Sequence, residues 1–289
     1  MGAVGLKIAT LLLVRKDPLR AEAVGRRLGS LLWLSKKHRN RALANLKLAF
    51  PELTDEQRLD ITKRCFQHFG MLATDFFRTP YRSQDEFTKD VVYEGLEHLD
   101  KALAKDEGIV IVTGHLGNWE RAGAMAFHRG FELYAVQRDA NSGFVNRWMT
   151  EQRKKSGLNI LSRGNAIRSI LKLLHEKKAV TMLVDQNCSE VFVPFFGLPT
   201  GTVTGPALIH LRTGAPLIPA FCMKTGPNSF KAHIYPELTP DPAYEDPRVG
   251  LTAAMNAALE DIIRKYPEQW LWFHDRWKSA RRSGRLPEE

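Results

Sequence analysis

Apolar residues occur along this chain in two ways, as short unbroken runs and as stripes at helical spacing. The runs Gly108–Thr113 and Ala179–Val184 predict core strands of a parallel sheet, buried on both faces and therefore not alternating. Phe131–Val136, Asn159–Leu161, Val191–Phe196, Pro216–Phe221 and Phe230–Tyr235 predict further strands. Helical spacing covers residues 40–78, where Leu43, Leu46 and Phe50 end at Pro51 and Leu59, Cys65, Phe66, Phe69 and Leu72 follow. Further helices are expected around Arg121–His128, Val145–Lys155, Ile167–Glu176, Thr204–Arg212 and Arg248–Lys265. This alternation predicts an α/β fold, with residues 40–78 as a helical cap.

The N-terminal stretch has a different pattern. Val24, Leu28, Leu31 and Leu32 form a stripe that Arg26 and Arg27 avoid, with Trp33 at its end. The upstream run Ile8–Val14 has only seven residues, against the ~20 needed to span a bilayer. It also lacks the cleavage site of a secretory signal. The expectation is a helix lying on an anionic membrane surface, where each basic residue contributes about 1 kcal/mol. Charge supports it: the net charge is +10, and residues 1–50 hold eleven Lys and Arg against Asp17 and Glu22. The central body is close to neutral, unlike a uniformly basic nucleic-acid-binding surface, so no nucleic-acid partner is expected. Three regions follow: a basic amphipathic membrane-associating helix at 1–40, a main domain at 41–278 and a basic tail at 279–289. Cys65, Cys188 and Cys222 are far apart and lack CxxC spacing, which predicts neither a disulfide framework nor a zinc site.

Candidate chemistry concentrates where the first core strand ends, at Gly114-His115-Leu116-Gly117-Asn118-Trp119-Glu120. In open α/β sheets the crevice at the strands' C-terminal ends is where ligands bind. Five residues turn an ideal helix by about 500°, so His115 and Glu120 share a face only if a turn intervenes. Asp185-Gln186 occupies a second strand terminus facing the same crevice. The chain has no GxSxG elbow, GxxxxGK[ST] loop, GxGxxG fingerprint or HExxH motif, so nothing nominates a nucleotide or metal cofactor. A histidine with a carboxylate but no protein nucleophile points to a substrate nucleophile, as in acyl transfer to an alcohol.

At these residues the chain resembles a known family. His115–Glu120 is similar to the H-x4-[D/E] motif of the lysophospholipid acyltransferase superfamily, in the HxGNWE form of the bacterial lipid A biosynthesis acyltransferases, which attach secondary lauroyl or myristoyl chains. Asn45–Leu53, Asp185-Gln186, Val193–Gly197, Thr213–Pro219 and Trp270–Trp277 agree, so the resemblance runs from about residue 20 to 278. It implies a mixed, mostly parallel sheet flanked by helices, like that of glycerol-3-phosphate acyltransferases. It also implies His115 as general base with Glu120 orienting it, and acyl transfer from acyl carrier protein or coenzyme A to a lipid A hydroxyl. Arg138 is placed beside the active site, where it can bind a phosphate or the acceptor sugar. Asn118, Asn141, Arg163 and Asp185 are expected in the same substrate site, with Arg147 and Arg153 ranked lower.

Backbone N–H groups near Gly117 and Asn118 are candidate oxyanion donors. Phe195-Phe196-Gly197 and Gly214–Pro219 suit either core or acyl-chain groove, and Trp270, Trp272 and Trp277 either an interfacial belt or a packed element. The implied partners are acyl carrier protein, a membrane glycolipid and an anionic membrane surface, at the cytoplasmic face of a bacterial inner membrane. No EGTR-type motif follows the histidine motif, which disfavours a lysophospholipid acceptor and leaves other glycolipids, such as a phosphatidylinositol mannoside, open. An acyl-thioester hydrolase would use the same dyad with water as nucleophile.

Overall fold

A computed structural model describes residues 3–88, 91–137, 143–162 and 166–286. Its first half runs α1 (Ala3–Val14), α2 (Pro18–Leu32), α3 (Lys36–Ala49), α4 (Asp55–Arg78), α5 (Gln84–Thr88), β1 (Val91–Glu94), α6 (Leu96–Leu103), β2 (Ile109–Thr113), α7 (Trp119–His128), β3 (Leu133–Gln137) and α8 (Gly143–Lys155). It continues through β4 (Asn159–Ser162), α9 (Ala166–His175), β5 (Ala179–Leu183), β6 (Val191–Phe195), β7 (Leu198–Thr202), α10 (Gly205–Thr213), β8 (Leu217–Gly226), β9 (Ser229–Ile234), α11 (Pro247–Lys265) and α12 (Lys278–Arg282). Seven strands form one sheet in the order β1-β9-β8-β2-β5-β3-β4, and β6 and β7 pair as a separate hairpin. Every described neighbour in the large sheet is parallel except β8 and β9, so β9 and β1 run against the other five. This is the expected α/β arrangement with a mixed, mostly parallel sheet.

Five elements were absent from the apolar pattern: β1, α5, α6, β7 and α12. β7 reads Leu-Pro-Thr-Gly-Thr, with a proline and a glycine where a strand signature needs branched side chains. It forms because Phe196 and Gly197, at φ 52° and 70°, make a two-residue turn that folds it back on β6.

The two sheet faces pack differently. Val110 and Val112 point to a face covered by α9, α10 and α11, where one continuous core includes Phe195, Trp270, Trp272 and Trp277. All four of these aromatic side chains are buried, which decides for packed core over groove or interfacial belt. The opposite face holds Ile109, Ile111 and Thr113, and its core is split into three smaller clusters beneath α5–α7 and around Leu158. Ile111 stays half-buried although it is the middle residue of the strand between β8 and β5. It packs against two of the small clusters and borders a cavity.

The N-terminal helices lie on α4. Asp17 caps α2 by accepting from the Leu19 and Arg20 amides, with Pro18 at the first helical position. The face that α2 buries is Ala21, Gly25 and Gly29, and an added Cβ on Gly70 of α4 would lie 2.1 Å from the Gly25 carbonyl oxygen. The backbones therefore touch, and Leu28, Leu31 and Leu32 are turned outward and exposed. Glu22 fixes the helix to the body through an ion pair with Lys224 and a 2.9 Å bond from the Asn228 amide. Among the described residues no helix is long and apolar enough to cross a membrane.

The α2–α4 contact generates a stability prediction. Gly70→Ala forces the two backbones apart and costs about 1–3 kcal/mol, as overpacking does. The urea midpoint should fall with an unchanged denaturant slope.

Candidate active site

The parallel register of the two central strands builds the site. Thr113 of β2 stands opposite Leu183 of β5, and the Val184 amide extends the ladder by donating to the Thr113 carbonyl at 3.0 Å. Two residues beyond that last pair come His115 on one strand and Asp185 on the other. Equal offsets past a shared register bring them together.

Asp185 is buried, and both of its carboxylate oxygens are used. Oδ1 accepts from His115 Nδ1 at 2.8 Å, and Oδ2 accepts from the His115 amide at 2.7 Å and the Trp270 indole N–H at 2.9 Å. A carboxylate can only accept, so the imidazole proton sits on Nδ1 and the Nε2 lone pair points outward, where the Gln186 amide lies 3.4 Å away. Trp119 packs edge-on against the ring at 5.3 Å.

The loop that carries His115 is pinned from three sides. Leu116 bridges Trp270, the Gly117 amide donates to the Gln269 carbonyl at 3.0 Å, and the Asn118 amide donates to the Cys222 carbonyl at 2.7 Å. Gly117 has φ 57°, and a Cβ there would meet the Cys222 carbonyl oxygen at 2.1 Å, so only glycine fits. Buried His68 of α4 donates through Nε2 to the Gly117 carbonyl at 2.9 Å. Burial pushes its pKa down to about 4 against the hydrogen bond to Gly117, so it stays neutral at physiological pH.

Several expectations change here. Glu120 does not supply the carboxylate on His115; its oxygens take the Arg153 guanidinium, at 3.0 and 3.2 Å from Nε, and the Trp119 indole at 3.1 Å. The reason is geometric: Glu120 sits in the first turn of α7, where Arg153 of α8 faces it, whereas Asp185 shares a strand register with His115. Asn118 is turned into the fold, capping α7 through a 2.9 Å bond from the Arg121 amide and donating to Asp75 at 2.7 Å. The Gly117 and Asn118 amides are both occupied and cannot serve an oxyanion. Asp185 was expected in the substrate site and instead holds the imidazole. Arg138, Asn141 and Arg163 lie outside the described residues.

Electrostatics follow from these contacts. Burial pulls the His115 pKa down, but the charge and hydrogen bond of Asp185, helped by Glu120 and opposed by Arg153, raise it overall above its ordinary value. Asp185, despite burial, is held down to about 2 by the imidazolium and its three donors. Burial pushes the Cys65 and Cys222 thiols up to about 12, which makes them inert core groups. Among the described residues no group of three or more His, Cys, Asp or Glu could hold a metal ion.

A cavity of about 1080 Å³ opens beside His115, Trp119 and Glu120. It runs past Ile111 and Thr181 under Gly123 and Ala126 of α7, and it also reaches Ile170 of α9 and Ile209 of α10 across the strands' C-terminal side. Small side chains on that helix, set against the half-filled strand face, create the space.

The roles that the sequence did not suggest are those of Trp270, Gln186 and His68, with Arg153 anticipated only weakly. A signal for Asp185 did exist, because Gly108–Thr113 and Ala179–Val184 are followed by His115 and Asp185 at matching distances. None existed for Trp270, whose partner is 85 residues away.

Comparison with known proteins adds to this geometry. Residues 2–279 match the model of the family described as bacterial lipid A biosynthesis acyltransferase. A lipid A biosynthesis acyltransferase of Haemophilus influenzae is 25% identical over 93% of this chain and 85% of its own length. A lipid A biosynthesis lauroyltransferase of Escherichia coli is 28% identical, covering 81% and 77%. A phosphatidylinositol mannoside acyltransferase of Mycobacterium tuberculosis is also 28% identical, covering 73% and 68%.

In the folded wild type the His115 ring should titrate above 6.5, followed by its carbon and nitrogen shifts in NMR. Asp185→Asn removes the anion that opposes burial, and the midpoint should drop. An unmoved midpoint would mean that the pair does not form in solution.

Proposed function

The chain belongs to the bacterial lipid A biosynthesis acyltransferase family, and from that premise we propose that it moves a fatty acyl chain from an acyl carrier protein thioester to a hydroxyl of a lipid A precursor. The observation that carries the reading is His115, locked through Nδ1 to Asp185, with Nε2 directed to the head of a large apolar cavity.

In this mechanism the acceptor hydroxyl approaches Nε2, which takes its proton as the oxygen attacks the thioester carbonyl carbon. The tetrahedral intermediate collapses with cleavage of the carbon–sulfur bond, and the imidazolium returns the proton to the departing thiolate. Asp185 holds the tautomer and stabilises the imidazolium, and the Trp270 indole holds Asp185. Glu120 contributes its charge from farther away and fixes Arg153 in the cavity wall, where the guanidinium can meet an acceptor phosphate. The Gln186 side-chain amide, beside Nε2, is the proposed oxyanion donor. Arg138, Asn141 and Arg163 complete the acceptor site in this proposal, on the strength of the sequence resemblance.

The acyl chain occupies the apolar cavity along Ile111, Thr181 and Ala126. From His115 down to Ile109, β2 and its exit cover six residue steps, about 20 Å, which suits a medium to long chain. The exposed Leu28, Leu31 and Leu32 and the neighbouring basic residues hold the protein on the anionic cytoplasmic leaflet of a bacterial inner membrane. An acidic carrier protein is drawn to the same basic surface.

The test is release of free thiol from carrier-protein and coenzyme A thioesters, with a lipid A precursor, with a phosphatidylinositol mannoside, or with no acceptor. Wild type should release thiol fastest with the carrier-protein donor and the lipid A precursor, and His115→Ala should lose about 10²–10⁴-fold of that rate. Stronger stimulation by the mannoside would move the acceptor to that class, while acceptor-independent release would make the protein a hydrolase. Ala126→Phe fills the groove and should shift donor preference to shorter chains, with about a fourfold loss for each methylene left unburied, at ~0.8 kcal/mol apiece.

A further inference from the structure

A second apolar surface lies outside the N-terminal helices, next to the mouth of the cavity. On α8, Phe144 is 37% and Val145 39% exposed, and Tyr81 in the turn after α4 is 50% exposed. Helix α8 packs against that turn. Behind them Trp148, one turn beyond Phe144 and Val145, stacks against Phe76 at 5.7 Å and Phe77 at 4.8 Å. All three of these rings are half-buried. Globular surfaces rarely gather aromatic and branched side chains this way without a ligand surface.

The patch is continuous with two other features. Another side of α8 supplies Asn146, Met149 and Arg153 to the cavity wall, and the Arg153 guanidinium lies 5.8 Å from the Phe76 ring while holding Glu120. The patch therefore borders the reaction site. Helix α2 runs antiparallel to α4, with Gly29 against Phe66 and Gly25 against Gly70, so Pro18 at its start lies by Arg78 at the end of α4. That brings exposed Leu11, Leu12 and Leu19 toward the same end of α4 that carries Phe76, Phe77 and Tyr81.

Charge selects the occupant. Arg147 is exposed beside Phe144 and Val145, and Arg15, Lys16 and Arg20 are exposed beside the leucines. The one acid among these N-terminal residues, Asp17, is spent on capping α2. Aromatic and aliphatic side chains interleaved with cations match the interface of an anionic bilayer. We propose that Tyr81, Phe144 and Val145 form a second membrane-contacting rim, so that the cavity mouth is pressed onto the lipid surface and a lipid acceptor enters sideways, without leaving the bilayer. The rim rests on the reading that the acceptor is a membrane lipid and that α1 and α2 lie on the membrane.

The experiment is co-sedimentation of the full chain with vesicles of phosphatidylethanolamine and phosphatidylglycerol, or of phosphatidylcholine alone. Two double variants, Phe144→Asp with Val145→Asp and Leu28→Asp with Leu31→Asp, are compared with wild type; all four positions are exposed, so the fold is retained. The rim variant should bind anionic vesicles about tenfold more weakly, given two apolar side chains withdrawn and two negative charges introduced. Its rate on acceptor embedded in vesicles should fall in step, while its rate on detergent-dispersed acceptor stays at the wild-type level. Binding equal to wild type in the rim variant, with loss in the α2 variant, overturns the rim and leaves the N-terminal anchor standing. No binding by wild type overturns both. A wild-type dimer that the rim variant breaks, with vesicle binding intact, gives the patch to a second copy of the chain and also overturns the proposal.

Discussion

One carboxylate organises the end of the sheet where His115 lies. Asp185 accepts three hydrogen bonds, two from His115 and one from Trp270, and so ties together β5, the exit of β2 and the C-terminal segment that follows α11. Buried without them it would have to neutralise, since an isolated charge is costly to desolvate. With them it stays ionised to about pH 2 and imposes a single tautomer on the imidazole. The backbone bond from the His115 amide matters as much as the ring bond, because it fixes where the loop leaves the strand.

The loop then has little freedom left. Gly117 passes within contact of the Cys222 carbonyl, Gln269 and His68 take its amide and carbonyl, and Asn118 turns inward to start α7. Each of these contacts comes from a different part of the chain, and together they aim Nε2 away from the core. Helix α7 follows directly, and its Gly123 and Ala126 leave the adjoining strand face underfilled. The proposed base and part of the cavity wall thus come from one continuous segment.

The two faces of the sheet divide the work. The face under α9–α11 holds the buried tryptophans and a single core, which supplies rigidity. The other face is packed in small clusters and supplies much of the cavity wall, which α9 and α10 complete. Attachment of the N-terminal helices follows a related economy. Glycines bring α2 onto α4 at backbone distance, which spends no large apolar side chain on the contact and leaves the leucines outside with the arginines.

The sequence by itself determined the strands with unbroken apolar runs, the helices with clear stripes, the place of His115 at the end of a central strand and the uneven distribution of charge. These are local properties, written in neighbouring residues whose period and composition speak for one element at a time. It missed β7, whose proline and glycine hide a strand made by a hairpin turn, and α6, whose Leu96, Leu99, Ala102 and Leu103 keep helical spacing over only eight residues. Tertiary structure alone decided which carboxylate meets the imidazole. Glu120 is close along the chain but is taken by Arg153 across α8, whereas Asp185 is 70 residues away and adjacent in space through the β2–β5 register. It alone decided that Asn118 points inward, that Trp270 serves the carboxylate and that a cavity opens beside His115. A hydrogen bond or a void is a property of groups brought together by packing, and no single stretch of chain contains it.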